Sequence, residues 1–277
     1  MAPSTAVEPR SDAPPAAYWD ETLVTHFESG RDHWWRVFCD ELHERLVDDW
    51  AADRRYESAL KTDLFDEAAD RGPLPALARH ARRVEGIDVS PAVVAAARAR
   101  NPGIAAAVGD VRALDLDDAR FDLVLSNSTL DHFPHRDDIR RALAELHRVM
   151  APGGTLILTL DNPRNPVVGA RSRLPLAWLS RTGLVPYFVG VSLSMAALVH
   201  EITATGFEVL DRRTLMHVPR LPAIWLCRLA RWLGSESLGR RLVDAFHRCE
   251  ALAKLPTGER SAYYVAVRAR RRERPGP

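Results

Sequence analysis

The chain has 277 residues, 46% of them hydrophobic and 27% charged, a soluble globular composition with room for one α/β domain and a cap. A net charge of +1 gives no whole-molecule field that would draw nucleic acid. The cysteines, Cys39, Cys227 and Cys249, have neither metal-ligand nor disulfide-framework spacing and point to a reducing cytoplasm. The N-terminus lacks a signal-peptide pattern. No run reaches the ~20 apolar residues that span a bilayer; Leu174 to Met195, the longest apolar-leaning segment, is broken by Arg181, Gly183, Pro186 and Gly190.

In chain order, residues 1–17 are rich in Pro, Ala and Ser and read as disordered. Residues 18–57 read as a helical cover. Trp34, Phe38, Leu42, Leu46 and Trp50 form an apolar stripe at helical spacing, with Asp40, Glu44 and Asp48 off it. Leu60 to Phe65, a short apolar-flanked run ending in acid, reads as the first strand. Pro73 to His80 has helical spacing, and Arg83 to Val89 is a second strand closing on Gly86-Ile87-Asp88. Strand, crossover helix and parallel strand are the unit of a doubly wound sheet, whose ligands lie beyond the carboxyl ends of the strands. Ser90 is an N-cap with Pro91 after it. Asn101-Pro102-Gly103 stops that helix, and Ile104 to Val108 is a third strand leading to Gly109-Asp110. Phe121 to Ser126 is a near-continuous apolar run, as expected of a strand covered on both faces. A helix over Asp137 to Met150 ends at Ala151-Pro152-Gly153-Gly154, and Thr155 to Leu160 is the fifth strand. Phe207 to Thr214 and Ser261 to Arg268 complete the strands.

Four pieces in this order, GIDVS (Gly86 to Ser90), VGD (Val108 to Asp110), FDLVLSNSTLDHF (Phe121 to Phe133) and LHRVMAPGGTLILTL (Leu146 to Leu160), resemble a class I, Rossmann-like S-adenosylmethionine-dependent methyltransferase. The resemblance covers residues 58–213 and a last strand. It implies a doubly wound seven-stranded sheet of order 3-2-1-4-5-7-6 with the last strand antiparallel. It divides the chain into the disordered start, the cover, a methyltransferase domain over 58–269 with cap insertions near 163–191 and 217–256, and a basic tail over 270–277. One piece departs from the pattern. Where the family has a glycine-rich loop of the form E/D-x-G-x-G-x-G, this chain has Asp63 to Gly72 with one late glycine.

The resemblance implies S-adenosyl-L-methionine as cofactor. Asp88, with Val89 beside it, would meet the ribose diol; Asp110 and Val111 would meet adenine, with a turn cap as the plainer role for Asp110. Loop residues Asp63, Asp66, Glu67 and Gly72, and Ser126 at the end of the fourth strand, would line the rest of the cofactor pocket. Asp63 would bind the ammonium by charge-assisted hydrogen bonds. Asp131 and His132 are an acid–base pair after the central strand, with His132 as a general base oriented by Asp131, or as loop structure. Asp131, His132 and His135 lack a further ligand for a metal, and none is expected. Tyr18, His33 and Trp34 would face substrate, or the tryptophans are packing anchors. Arg164 would meet an acidic group or stand solvated.

Methyl transfer from a sulfonium needs mainly alignment and exclusion of water. The apolar insertion from Leu174 to Phe188 therefore suggests a small, largely apolar acceptor. The missing glycines suggest the alternative of a binding module that keeps the fold without catalysis. A nicotinamide-dependent dehydrogenase suffers from the same missing loop. The amphipathic run Leu221 to Leu233, with Arg228 and Arg231 among apolar residues, is read first as a packed helix, then as a substrate cap or a helix on a membrane surface.

Overall fold

The computed structural model describes residues 14–27, 32–171 and 188–272. Its centre is a seven-stranded sheet of order β3-β2-β1-β4-β5-β7-β6, formed by β1 (Tyr56–Lys61), β2 (Ala81–Asp88), β3 (Ala105–Val108), β4 (Phe121–Asn127), β5 (Met150–Asp161), β6 (Phe207–Leu215) and β7 (Tyr264–Arg271). Strands β1 to β5 pair in parallel, and β7 runs antiparallel to both β5 and β6. This is the expected order, with the expected reversed strand.

Side-chain alternation builds two cores on opposite faces of the sheet. Leu123, Leu125 and Ile157 point to the face covered by α2 (His33–Trp50) and α4 (Leu74–His80), where Phe38, Leu42, Leu46 and Leu77 pack. Val124, Leu156 and Leu158 point to the face covered by α6 (Arg136–Val149) and α8 (Met195–Ala204), where Ile139, Leu143, Leu198 and Ile202 pack; the short α7 (Pro166–Arg171) comes between them in the chain. Both faces are covered by helices, which explains the unbroken apolar runs of β4 and β5. A third cluster joins α3 (Phe65–Ala69) and α5 (Pro91–Arg100) through Leu64, Ala68, Val93 and Ala97. Ser90 caps α5 by accepting from Val93 N at 3.0 Å.

The N-terminal region is two helices rather than one, α1 (Ala16–Phe27) and α2. All five stripe residues of α2 are buried, and the Trp50 indole donates to Asp211 Oδ2 at 2.9 Å. Asp40 and Glu44 differ from expectation: both are buried. The helix is flanked on that side by the chain after α3, so Asp40 accepts Gly72 N at 3.2 Å, and Glu44 receives Arg71 and Arg79. The fifth strand starts earlier than its apolar run, at Met150, and passes through Pro152-Gly153-Gly154 with Gly153 at φ +74°. The expected disordered start lies mostly outside the described residues. So do Leu174 to Tyr187 of the apolar insertion, and residues 273–277 of the tail.

The first strand lies earlier than the expected Leu60 to Phe65, at Tyr56–Lys61, because the chain turns into α3 at Phe65; it ends on Lys61, which has no solvent exposure and ion-pairs with fully buried Glu67 at 2.9 Å. Lys61 also donates to Asp63 O. Glu67 Oε1 accepts Leu74 N at 3.2 Å, so one carboxylate ties β1, α3 and α4 together. Gly72 is required beside it: φ is +61°, and a Cβ there would stand 2.3 Å from Glu67 Oε1. Removing one member of a buried pair strands the other's charge. We expect Lys61→Met to lose about 3–5 kcal/mol of unfolding free energy. Lys61→Met/Glu67→Gln, which keeps an acceptor for Leu74 N, should recover most of that loss. Guanidinium denaturation of both variants checks it; equal losses would show that the pair does not act as a unit.

Candidate cofactor and acceptor site

The carboxyl ends of β1, β2 and β4 converge, with Lys61 in register with Gly86 on one side and Leu125 on the other. Asp88 closes β2. Its Oδ2 accepts Leu64 N at 3.0 Å and its Oδ1 accepts Ser90 N at 2.9 Å. Leu64 can fold over β2 because Gly86 has no side chain; a Cβ there would meet Leu64 Cδ2 at 2.5 Å. Each Asp88 oxygen keeps a further lone-pair direction for a hydroxyl. Burial, and next the charge of Asp63, push its carboxyl up to about 7.

The loop acids divide by role. Asp63 is half-buried, accepts Phe65 N at 2.9 Å, and is pushed up chiefly by burial. Asp66 faces Arg36 at 3.4 Å and receives Asn127 Nδ2 at 3.3 Å. Burial opposes its charge, but Arg36 and then Lys61 hold it below the usual carboxylate range. Glu67 is committed to Lys61 and Leu74 N, and Gly72 to Asp40, so both shape the loop from behind. Asp110 is only half-buried and is gripped by Arg112 through Nε and Nη2 at 2.6–3.1 Å, which keeps it ionised. Val111 is buried, and Val89 is half-buried beside Asp88. Ser126 is fully buried and accepts Thr62 Oγ1 at 3.0 Å, a layer below the strand ends.

The loop after β4 holds the expected acid–base pair in an unexpected way. Asp131 Oδ2 accepts Ser128 Oγ at 2.9 Å and Asp161 N at 3.0 Å. Burial, then Asp161, push the Asp131 carboxyl up to about 6. The imidazole of His132 instead meets Phe188 O at 2.9 Å through Nδ1. A carbonyl only accepts, so Nδ1 carries the proton and Nε2 is the basic nitrogen of the neutral ring. His135 is exposed. Among the described residues no group of three or more His, Cys, Asp or Glu is arranged to hold a metal.

Helix α1 crosses this edge. Asp20 meets the Ser90 hydroxyl and Ala92 N, and Tyr18 Oη accepts Phe188 N at 2.6 Å. Trp19 stands edge-on to His132, 4.8 Å between ring centres, and 6.1 Å from Phe65. Trp19 was missed in the sequence because α1 lacks a clear apolar stripe. Trp34 and Trp50 are buried as packing anchors, and His33 lies 3.7 Å from Asp70. Arg164 pairs with Glu259 at 3.3 Å and lines a cleft of about 760 Å³ beside β6. Strand β6 is five positions from β2, about 24 Å at the usual strand spacing.

The donor and acceptor set fits a cationic cofactor carrying a diol. Asp88 offers carboxylate lone pairs to hydroxyls, Asp63 and Asp66 offer negative charge to an ammonium, and Val111 offers an apolar surface to a flat ring. The loop itself differs from an open glycine turn: the helix α3 occupies Phe65–Ala69.

Residues 71–158 match a family described as a methyltransferase domain. The match takes in only the last two residues of the variant loop, Arg71 and Gly72. A probable S-adenosylmethionine-dependent methyltransferase of Mycolicibacterium smegmatis is 31% identical over 137 residues, 50% of this chain and 48% of that protein. A demethylmenaquinone methyltransferase of Chlorobaculum parvum is 29% identical over 140 residues, 50% of this chain and 54% of that protein. The aligned part thus spans about half the length of these relatives. Among solved structures, the N-methyltransferase NodS of Bradyrhizobium japonicum WM9, in complex with S-adenosyl-L-homocysteine, shares the fold with a TM-score of 0.57 at 16% identity, covering 92% of this chain and 100% of that one.

The buried carboxyls give the site a titration signature. Burial, then Asp66, push Asp40 up to about 8, well above its ordinary 3.8. A raised folded-state value means that stability is fully present below about 3.8 and lost as pH rises through about 8. Asp40→Asn keeps an acceptor for Gly72 N and removes the ionisation. We expect its advantage over the wild type to grow between pH 5 and pH 8, to an order of a few kcal/mol, in denaturant unfolding at each pH. An advantage constant with pH would show that Asp40 titrates normally. The sheet order and the reversed last strand are those of the class I, Rossmann-like fold, and residues 71–158 of the chain match a methyltransferase domain.

Proposed function

We propose that this protein is an S-adenosylmethionine-dependent methyltransferase acting on a small, largely apolar acceptor by in-line transfer. The observation that carries the reading is Asp88, a buried carboxylate at the end of β2 held by two backbone amides. When bound, the cofactor supplies a methyl group made electrophilic by its sulfonium. The residues of this chain supply the rest. Asp88 receives the ribose hydroxyls, Asp110 and Val111 the adenine, and Asp63 and Asp66 the ammonium. Trp19 and Phe65 wall off water. His132 Nε2 takes the proton of an acceptor O–H or N–H, with Phe188 O fixing the tautomer. The aromatic wall, and the demethylmenaquinone in the name of one relative, favour an apolar acceptor.

A second reading rests on the loop. The short helix after β1, outside the matched residues 71–158, suits a non-catalytic binding module. Calorimetric titration with S-adenosyl-L-homocysteine separates the two. We expect binding that weakens about tenfold or more in Asp88→Ala and in Asp110→Ala, the loss of a charge-assisted hydrogen bond in each. Affinity should rise with pH through about 7 in the wild type, because ionised Asp88 is the better acceptor, and this dependence should flatten in Asp88→Asn. Binding by a folded protein with no turnover on any apolar acceptor would favour the module; no binding at all would sink the cofactor site.

Once an acceptor with an ionisable O–H or N–H is found, His132→Ala should lower kcat about 100-fold and leave the affinity for S-adenosyl-L-homocysteine unchanged. An unchanged kcat would assign His132 to loop structure.

A further inference from the structure

After β6 the chain forms two helices, α9 (Arg220–Trp232) and α10 (Glu236–Cys249). Helix α9 packs through Ala223, Cys227 and Ala230, all buried. Its other face is bare. Trp225 is 70% and Trp232 80% exposed, and Leu226, Leu229 and Leu233 are exposed between and beside them. At 100° per residue these five side chains fall within an arc of about 120°. Isolated surface hydrophobes are ordinary, but a continuous stripe with two bare tryptophans marks a docking face.

We infer that this face seats the protein on an anionic lipid surface. Three observations favour that occupant. Tryptophans with an apolar body and a polar N–H suit the interface between headgroups and acyl chains. Charge is segregated to match: residues 217–254 hold seven Lys/Arg against three Asp/Glu, a balance of +4 in a chain whose total is +1. Arg231 and Arg241 are exposed within that pair of helices. The stripe is also small for a protein partner, five side chains against the about 20–30 residues a side of a stable interface. No described helix is long and apolar enough to cross a membrane, so the contact is peripheral. Its position joins the docking face to the ligand edge of the sheet. Arg220, in the first turn of α9, donates to Tyr263 Oη at 2.7 Å; Arg171 donates to the same oxygen at 2.6 Å and pairs with Asp161 at the end of β5.

The test uses the full chain, sedimented with sucrose-loaded vesicles of phosphatidylcholine alone or mixed with phosphatidylglycerol. We expect binding to the mixed vesicles, weakened by salt. Trp225→Ser/Trp232→Ser should lower the partition coefficient about tenfold or more, and Arg231→Glu/Arg241→Glu to a similar extent, with circular dichroism unchanged in both. Brominated lipid should quench tryptophan emission in the wild type and lose that extra quenching in the tryptophan variant. No partition to the mixed vesicles, or equal partition by the wild type and the tryptophan variant, would overturn the inference. So would a dimer in sedimentation velocity that the tryptophan substitutions abolish, because the face would then belong to a second copy.

Discussion

An ammonium group without solvent exposure, at the end of the central strand, is the constraint on which the ligand edge depends. Burial alone would drive the proton off Lys61; Glu67 first, then Asp63 and Asp66, hold it on. For Glu67 to come within 2.9 Å of Nζ, the chain must turn into a helix directly after the strand. That puts α3 at Phe65–Ala69 and brings the following segment close enough that only glycine fits at position 72. The amide of Gly72 is then held by Asp40 from α2. The cover helix, the first strand and the loop are thus fixed together by one neutralised charge.

The same arrangement changes what the edge can offer a ligand. An open glycine turn presents backbone N–H groups, which favour negative charge. Here carboxylates stand in their place, at different points of titration. Asp66 is held ionised by Arg36 and Lys61, whereas burial raises Asp63 and Asp88. Crowded carboxyls of this kind disfavour one another's charge, so a cation placed among them relieves repulsion and draws them toward the ionised form. A ligand that is both cationic and a hydroxyl donor suits the edge on both counts. Proton release on binding follows from it, since ionising a raised carboxyl sheds its proton.

Much of the fold was legible because its rules are local. The near-continuous apolar run of β4, which needs cover on both faces, and the Ser90-Pro91 start of α5 announce themselves in a few residues. The sheet order was an implication of the family resemblance, not of any local rule. The site was less legible because its contacts are long-range. Asp40 and Glu44 lie off the apolar stripe of α2 and read as solvent-facing, yet α2 is covered on a second side by residues 71–79. Asp131 and His132 are neighbours in sequence and read as a pair. In space each has another partner, Asp161 N for one and Phe188 O for the other, 30 and 56 residues away. Lys61 carried a signal that could have been used: a cation closing a run that is otherwise apolar must be met by an acid nearby.

A net charge near zero also conceals an organised molecule. The segment over 217–254 is basic and the remainder correspondingly acidic, with much of that acid gathered around the ends of β1 and β2. At physiological ionic strength a field fades over about 8 Å, so each region acts on its own surroundings and the total is uninformative. The two regions are nevertheless held in fixed relation. From Arg220 the bonds run through Tyr263 and Arg171 to Asp161, and from the Asp161 amide to Asp131, the residue before His132. Each link is a buried or half-buried polar contact that would leave an unsatisfied group if broken. A surface that holds α9 therefore fixes the bearing of the whole carboxyl edge.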